Sequence, residues 1–189
     1  MDPVALLEEA GELYLRRLAD VPPDAWDNPT PCPDWTVRVV AAHVMNGLGT
    51  IAPLLAHEQV DPSERTRDHL GDDPVAAARP ALGSAIEALR QPGALDVIVE
   101  APAGQLPGRA FAVIRAADTV IHTWDMSVGA GIDTTLPEPL VQAVAAASRP
   151  EILSGGRAAG VFGPEVQVAP GASAQDRLLG AYGRRGGAA

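Results

Sequence analysis

The feature that most constrains this chain is a proline-free segment, residues 109–130, whose apolar side chains recur mostly at intervals of three and four. These intervals match an α-helix, because residues three or four apart lie on one helical face. The residues on this face are Phe111, Ile114, Ala117, Ile121 and Met126. Glycines at positions 129 and 131 mark its end, since glycine is favoured just beyond a helix C-terminus. We therefore expect a long helix that buries one face.

Further segments have the same apolar period and are separated by prolines and glycines. We expect helices over residues 4–19, from Asp34 or Thr36 to about residue 57, from Pro74 to Gln91, from Pro137 to about Ser148 and, last, in the sequence QDRLLGAYG. The prolines between Val21 and Pro33 predict a loop, because proline cannot donate a helical hydrogen bond. The polar residues 58–73 predict a long crossover connection.

Two segments depart from the helical period. The β-branched run LDVIVE is followed by APAGQLPG, which predicts a short strand and turn against the helices. The glycine-rich sequence GGRAAGVFGPEVQVAP predicts a loop with a short extended part. The chain is therefore expected to be mainly α, a helical bundle around one core with minor short β-strands.

Length and composition favour one domain. A chain of 189 residues, of which 47% are hydrophobic, can bury one sizeable core, so we expect a single domain over residues 1–184 and a flexible tail over 185–189. The net charge of -10 repels phosphate backbones, so nucleic acid is not an expected partner. All basic residues are arginine, and alanine, glycine and proline are abundant, which indicates a GC-rich bacterial genome.

The N-terminal residues and the cysteine content bear on the cellular compartment. The first residues carry acids where a secretory signal carries positive charge, and no uninterrupted apolar run approaches the roughly 20 residues needed to cross a membrane. We therefore expect a cytoplasmic protein with no membrane partner. The single cysteine, Cys32, excludes an intramolecular disulfide framework and a CxxC motif. Any metal must then be held by histidine and carboxylate groups.

Three polar residues on apolar helix faces form the candidate site. Asp118 and His122 are four residues apart, so their Cβ atoms should lie about 5–6 Å apart on one face of the 109–130 helix. His43 lies on the apolar face of the second helix. Burying these groups costs about several kcal/mol unless each has a partner, and one divalent cation would serve all three. The spacing also fits two commoner arrangements, an Asp118–His122 ion pair and a hydrogen-bonded core histidine.

Neighbouring polar and aromatic residues are weaker candidates. Trp124 and Asp125 could line the site or orient a ligand histidine from outside the ligand set, although packing is favoured for Trp124. Arg115 and Arg38 could contact an anionic substrate, although a solvated helix face or an ion pair is the commoner role.

The remaining candidates are one cysteine and two histidines. Cys32 lies in a proline-rich loop with no lysine, arginine or histidine beside it in sequence to activate the thiol, so a structural role is favoured. His57 and His69 lie at or within the polar crossover and are assigned no role.

Three stretches together resemble a known family. They are TPCPDWTVRVVAAHV around His43, DTVIHTWDMSVGAG around His122, and DRLLGAYGR near the end. Their order is similar to that in the metal-binding subset of the DinB-like superfamily, and more closely to the N-terminal domain of mycothiol-dependent maleylpyruvate isomerase and its stand-alone relatives. The resemblance implies a DinB-like four-helix bundle with a long crossover. It also implies one divalent metal, zinc with nickel and iron as alternatives, held by His43, Asp118 and His122, with glutamate in the isomerase at the position of Asp118.

The resemblance further implies an enzyme that acts on a small molecule. Three protein ligands leave positions open for a low-molecular-weight thiol such as mycothiol or for a substrate oxygen, which favours a thiol-dependent transferase or isomerase. The alternatives are a non-catalytic metal- or ligand-binding bundle and a thiol-independent hydrolase or cyclase whose metal polarises a carbonyl. Catalytic residues are left unassigned. A homodimer is a candidate assembly, because any exposed helix face can form a dimer interface.

Overall fold

The computed structural model describes residues 1–101, 104–158 and 160–186. Contacts divide the chain into two compact units, Met1–Thr135 and Leu136–Ala189. The expected single domain over residues 1–184 stays a prediction. Of the expected tail, residues 187–189 lie outside the described part of the chain.

The first unit contains the longer helices and a hairpin. Its elements are α1 (Pro3–Ala19), α2 (Val37–Gly49), α3 (Ile51–Leu55), α4 (Pro74–Leu89), β1 (Ile98–Ala101), β2 (Gly104–Pro107) and α5 (Gly108–Ala130). The elements of the second unit are α6 (Glu138–Ala147), α7 (Pro150–Ala158) and α8 (Ala174–Ala181). Short 3₁₀ turns lie at Pro62–Thr66, in the crossover between α3 and α4, and at Ala94–Asp96.

The four long helices of the first unit form the bundle. Helix α5 packs against α1 and α2, and α4 packs against the same two helices. Tyr14 ties α1 to α2, since its buried hydroxyl donates to the carbonyl oxygen of Ala41 at 2.8 Å. The hairpin is antiparallel, with Val99 opposite Leu106, and it lies against α5. The predicted mainly helical bundle with a crossover and short strands is confirmed.

Local side-chain contacts explain where several helices begin. Asp2 caps α1 and Asp73 caps α4, each by accepting hydrogen bonds from backbone N–H groups of the first turn. Of the two predicted caps of α2, Thr36 accepts from the backbone N–H of Val39. Asp34 has φ 64°, in the left-handed region, and lies in the preceding turn.

The glycine-rich sequence GGRAAGVFGPEVQVAP, residues 155–170, was expected to be a loop with a short extended part. This prediction is wrong for its first residues, because α7 (Pro150–Ala158) continues through residues 155–158. A Cβ atom at Gly156 would overlap the ring of Phe162, so the absence of a side chain allows the helix and the ring to pack closely. This packing outweighs the helix-propensity cost of glycine, about 1 kcal/mol per residue.

One apolar stretch, Val37–Leu55, is long and apolar enough to cross a membrane by length and composition alone. Arg38, His43 and Asn46 lie within this stretch, so it is not an uninterrupted apolar run. In the most apolar part of this stretch, 56% of the residues are buried inside the protein, as is usual for a core helix of a bundle. The cytoplasmic location stays a prediction.

Candidate metal centre

Helix α5 brings two of the predicted ligands together. Asp118 and His122 lie one turn apart, and His122 Nε2 is 3.7 Å from Asp118 Oδ1. Their side chains are 19% and 12% exposed, so water reaches both only in part. This pair follows from helical spacing alone.

Helix α2 supplies the third group. His43 is 3% exposed, and its Nε2 atom lies 3.5 Å from Asp118 Oδ2. One donor atom from each of His43, Asp118 and His122 lies within 4.8 Å of the other two. The fold therefore assembles the predicted two-histidine, one-carboxylate set.

The separations fit a tetrahedral divalent ion. Zinc bonds to nitrogen and oxygen are about 2.0–2.2 Å, which places neighbouring ligand atoms roughly 3.4 Å apart. The Asp118 carboxylate presents one oxygen to each histidine, at 3.5 Å and 3.7 Å. The same distances also suit ion pairs between the carboxylate and protonated histidines.

Asp125 orients His122. Its fully buried carboxylate lies with Oδ2 3.0 Å from His122 Nδ1, so the ring turns its Nε2 atom towards Asp118. Metal-binding histidines are commonly held in this way by a second carboxylate. Its neighbour Trp124 is 6% exposed and belongs to the apolar core.

Arg115 contacts the carboxylate oxygen that also faces His43. Its Nη2 atom donates to Asp118 Oδ2 at 2.5 Å, and its side chain is 15% exposed. This approach depends on Gly47 in α2, because a Cβ atom there would collide with the guanidinium. The other candidate arginine, Arg38, pairs with Asp68 in the crossover instead.

Burial and charge set the protonation of the cluster. Burial alone would raise the pKa of Asp118, but the interactions with Arg115, His43 and His122 hold that pKa well below its ordinary value. Burial lowers the pKa of His43, against the opposing pull of Asp118. Burial opposes the charge on His122 too, yet Asp118 and Asp125 raise its pKa to about 9. Without a metal, the carboxylate therefore pairs with a protonated His122 and a neutral His43 at pH 7.

Two residues that precede α2 also meet this cluster: Trp35, which the sequence did not single out, and Cys32, whose approach to His122 was not predicted. The ring centroid of Trp35 lies 4.8 Å from that of His43 and 5.6 Å from that of His122. The thiol of Cys32 lies within 4.8 Å of a nitrogen of His122 and an oxygen of Asp125. The structural role expected for Cys32 stays a prediction, and the fold brings this thiol beside a histidine that its flanking sequence lacks.

A cavity of about 470 Å³ adjoins the cluster. His43 and Arg115 contribute to its wall, and residues 57–62 of the crossover line it from another side. Asn46 anchors the crossover to α2, since its side-chain amide donates to the carbonyl oxygens of Glu64 and Arg67. The two histidines that were assigned no role differ in position. His57 lines the cavity, whereas His69 pairs with Glu64 on the exposed crossover.

Comparison with known proteins places the chain in a family. Residues 7–127 match the family model described as the mycothiol maleylpyruvate isomerase N-terminal domain. Two proteins named only as uncharacterized, from two strains of Mycobacterium tuberculosis, are 32% identical over 148 residues, which is 78% of this chain and 78% of each relative.

Two solved structures are similar to this chain in fold. The crystal structure of mycothiol-dependent maleylpyruvate isomerase matches with a TM-score of 0.63 at 20% identity. A histidine-to-alanine mutant of that enzyme matches with a TM-score of 0.64 at 19% identity. Each comparison covers 86% of this chain and 72% of the other. Because the family model matches well over half of the chain, the chain belongs to the mycothiol maleylpyruvate isomerase N-terminal domain family.

Proposed function

We propose that this protein is a metal-dependent enzyme that uses a low-molecular-weight thiol, such as mycothiol, to transfer or isomerise a small molecule. The observation that carries the proposal is the convergence of His43, Asp118 and His122 beside a cavity. The names of the structural relatives support the thiol and the isomerase chemistry. A cytoplasmic location would suit it, because that compartment keeps thiols reduced.

The chain's own residues have separate tasks in this proposal. His43, Asp118 and His122 hold the divalent ion, zinc first and nickel or iron as alternatives, and the ion when bound lowers the pKa of a coordinated thiol. Asp125 holds the His122 ring, and Arg115 holds the Asp118 carboxylate. This support matters because Asp118 is one methylene shorter than the glutamate implied by the resemblance, so its carboxylate must be held in place to reach both histidines.

Metal content tests the ligand set. We expect about one equivalent of metal in the wild type, and loss of that metal in His43→Ala and in His122→Ala. His69→Ala is the matched control, because His69 also pairs with a carboxylate but lies on the exposed crossover. Stoichiometric metal that persists in both ligand variants would contradict the assignment.

Thiol binding tests the chemistry. The protein is loaded with cobalt(II), which reports a bound thiolate by a charge-transfer absorption band, and is titrated with mycothiol. We expect the band in the wild type and in His69→Ala but not in His122→Ala. A spectrum that mycothiol leaves unchanged would overturn the thiol mechanism and leave the thiol-independent hydrolase or cyclase as the next hypothesis.

The cavity is what favours an enzyme over a bundle with a purely structural metal. A structural site is closed by four protein ligands, whereas a catalytic site keeps a position for water or substrate. His43 lies in the cavity wall, so a ligand can approach the donor set from there. Exchange of a coordinated water, measured by relaxation of solvent protons with manganese(II) in the site, should therefore be detectable.

A further inference from the structure

The two histidines of the candidate metal centre are supported differently. The ring of His122 is held by Asp125, whose Oδ2 atom lies 3.0 Å from Nδ1. His43 lacks such support, because its Nδ1 atom is buried and has no hydrogen-bond partner among the described residues. Metal-binding histidines usually donate this second N–H group to a carboxylate, a carbonyl or water, which fixes the orientation of the ring. A different kind of contact therefore has to orient His43.

Trp35 makes such a contact. Its ring centroid lies 4.8 Å from that of His43 at an interplanar angle of 50°, and 5.6 Å from that of His122 at 29°. The two histidine rings meet edge to face, with their centroids 4.8 Å apart. All three distances lie in the range of attractive aromatic pairs, about 4.5–7 Å between centroids. The three rings therefore form one packed group.

The backbone before α2 fixes the position of the indole. The backbone N–H of Trp35 donates to the carbonyl oxygen of Cys32 at 3.2 Å, which closes a turn whose third residue, Asp34, has φ 64°. The carbonyl oxygen of Trp35 accepts from the backbone N–H and from the hydroxyl of Thr30. This loop lies directly on α5, since a Cβ atom at Gly129 would be only 2.8 Å from the methyl carbon of Thr30. None of these contacts involves either histidine.

We propose that Trp35 is a positioning residue of the metal centre, whose indole holds the His43 ring in place of a hydrogen bond and shields that ring from water. A ring that is free to turn loses conformational entropy when it binds a metal, so holding it beforehand strengthens binding. The described residues of the cavity wall include His43 but not Trp35, so the indole leaves the approach from the cavity open. The effect on metal binding rests on the proposed function, whereas the hold on His43 does not.

Two replacements of similar size, of which only phenylalanine keeps a flat ring, test the indole. Zinc affinity, measured by competition with a chromophoric chelator, should fall about tenfold in Trp35→Leu and less than about threefold in Trp35→Phe. Trp26→Leu is the matched control, because Trp26 precedes α2 too and is also half-buried, but packs against Arg38. Wild-type affinity in Trp35→Leu, or an equal loss in the control, would overturn the proposal.

Cobalt(II)-loaded protein shows which histidine the indole holds. Paramagnetic NMR resolves the N–H proton of each coordinated imidazole, and the signal disappears when this proton exchanges rapidly with water. In Trp35→Leu we expect the His43 signal to be lost and the His122 signal to remain, since Asp125 still holds the second ring. Trp35→Phe should keep both signals. Loss of both signals in Trp35→Leu, or retention of both, would overturn the proposal.

Metal-free protein separates this inference from the proposed function. After chelator treatment, carbon-13 relaxation of the imidazole rings measures their motion on the picosecond to nanosecond timescale. The order parameter of the His43 ring should fall in Trp35→Leu and stay unchanged in Trp26→Leu. An unchanged order parameter in Trp35→Leu would overturn the hold on His43.

The wild type provides a test that does not depend on the folding of any variant. Nuclear Overhauser contacts between the indole of Trp35 and the His43 ring are expected in metal-free protein, and their absence would overturn the packed group of rings. Failure of the wild type to bind any divalent metal would instead overturn the proposed function. The Overhauser contacts and the ring relaxation would still decide whether Trp35 holds His43.

Discussion

Two clusters in the first unit contain the same three kinds of group in different surroundings. In the bundle, Asp118 contacts Arg115 and lies 3.5 Å from His43. On the crossover, Glu64 contacts Arg67 at 2.5 Å and His69 at 2.7 Å. The crossover distances are as short or shorter, so contact distance alone would rank the exposed cluster at least equal to the buried one.

The difference lies in the solvent. The bundle side chains are 4–19% exposed, whereas those on the crossover are 33–59% exposed. Water and salt screen the exposed pairs, and such a pair typically contributes about 0–1 kcal/mol to the free energy of unfolding. In the bundle, a charged side chain that loses its partner stays out of contact with water. Removal of one side chain of the buried cluster therefore destabilises the charges of the others. Burial turns a common set of side chains into a coupled site.

The largest contrast is expected when each carboxylate is removed. In chelator-treated protein, Asp118→Ala leaves the mostly buried guanidinium of Arg115 without its partner and should cost about 3–5 kcal/mol of unfolding free energy. Glu64→Ala should cost about 1 kcal/mol or less. Urea unfolding measures both. Equal losses in the two variants would remove the distinction between the clusters.

The next effect is a pH dependence of stability in the metal-free bundle. The pKa of His122 is about 9 when folded against 6.5 when unfolded, so its stabilisation is complete below pH 6.5 and is lost as the pH rises to about 9. His43 acts in the opposite sense, since its pKa is lowered by burial, and its contribution is lost as the pH falls below 6.5.

Unfolding of the wild type and of His122→Gln across this range measures the effect. The advantage of the wild type should shrink between pH 6.5 and 9. A constant difference would show that the charge on His122 does not contribute. Imidazole NMR signals of the two histidines, followed in the same titration, should move in different pH ranges.

A smaller effect is expected from the glycine beneath Arg115. Gly47→Ala places a Cβ atom against the guanidinium and should lower the free energy of unfolding by about 1–3 kcal/mol. Zinc binding should also weaken, because Arg115 no longer holds the Asp118 carboxylate. Gly49→Ala is the matched control in the same helix, since its Cβ would meet only Ala81 at 4.0 Å. In this control the free energy of unfolding should stay unchanged or rise by up to about 1 kcal/mol, because alanine favours the helix more than glycine does. Equal behaviour of the two variants would show that Arg115 moves without consequence.

The smallest effect belongs to the crossover. A double-mutant cycle between Glu64 and His69 should give a coupling energy of about 1 kcal/mol or less at low salt and none at about 1 M salt. The corresponding cycle between His43 and Asp118 in metal-free protein should keep its coupling at high salt, because salt does not reach the buried pair. Coupling that falls equally in both cycles would contradict the assigned difference in screening.

Much of the fold could be predicted from the sequence. The apolar period located α1, α4, α5 and α6 to within a few residues, because amphipathic helices repeat their pattern locally. Helix α7 was missed because the glycines that weaken its local signal are accommodated by contact with Phe162. The hairpin was predicted as a short strand and turn, and β1 and β2 pair there.

The candidate site, like the fold, could be predicted from the sequence only in part. The proximity of Asp118 and His122 follows from a spacing of four residues, and the placement of His43 on an apolar face indicated that it points inward. Sequence spacing could not show that Trp35 and Cys32 approach His122, or that His57 lines a cavity. Each of these contacts joins residues far apart in the chain.

By itself, the sequence determined where α1, α4, α5 and α6 lie to within a few residues, and that one acid and one histidine share a face of α5, because these are properties of neighbouring residues. Only the tertiary structure decided which side chains surround that pair. Packing α2 against α5 brings His43 to Asp118, and the absence of a side chain at Gly47 admits Arg115. The burial that follows from this packing sets the pKa values, since the cost of a buried charge depends on all the groups around it.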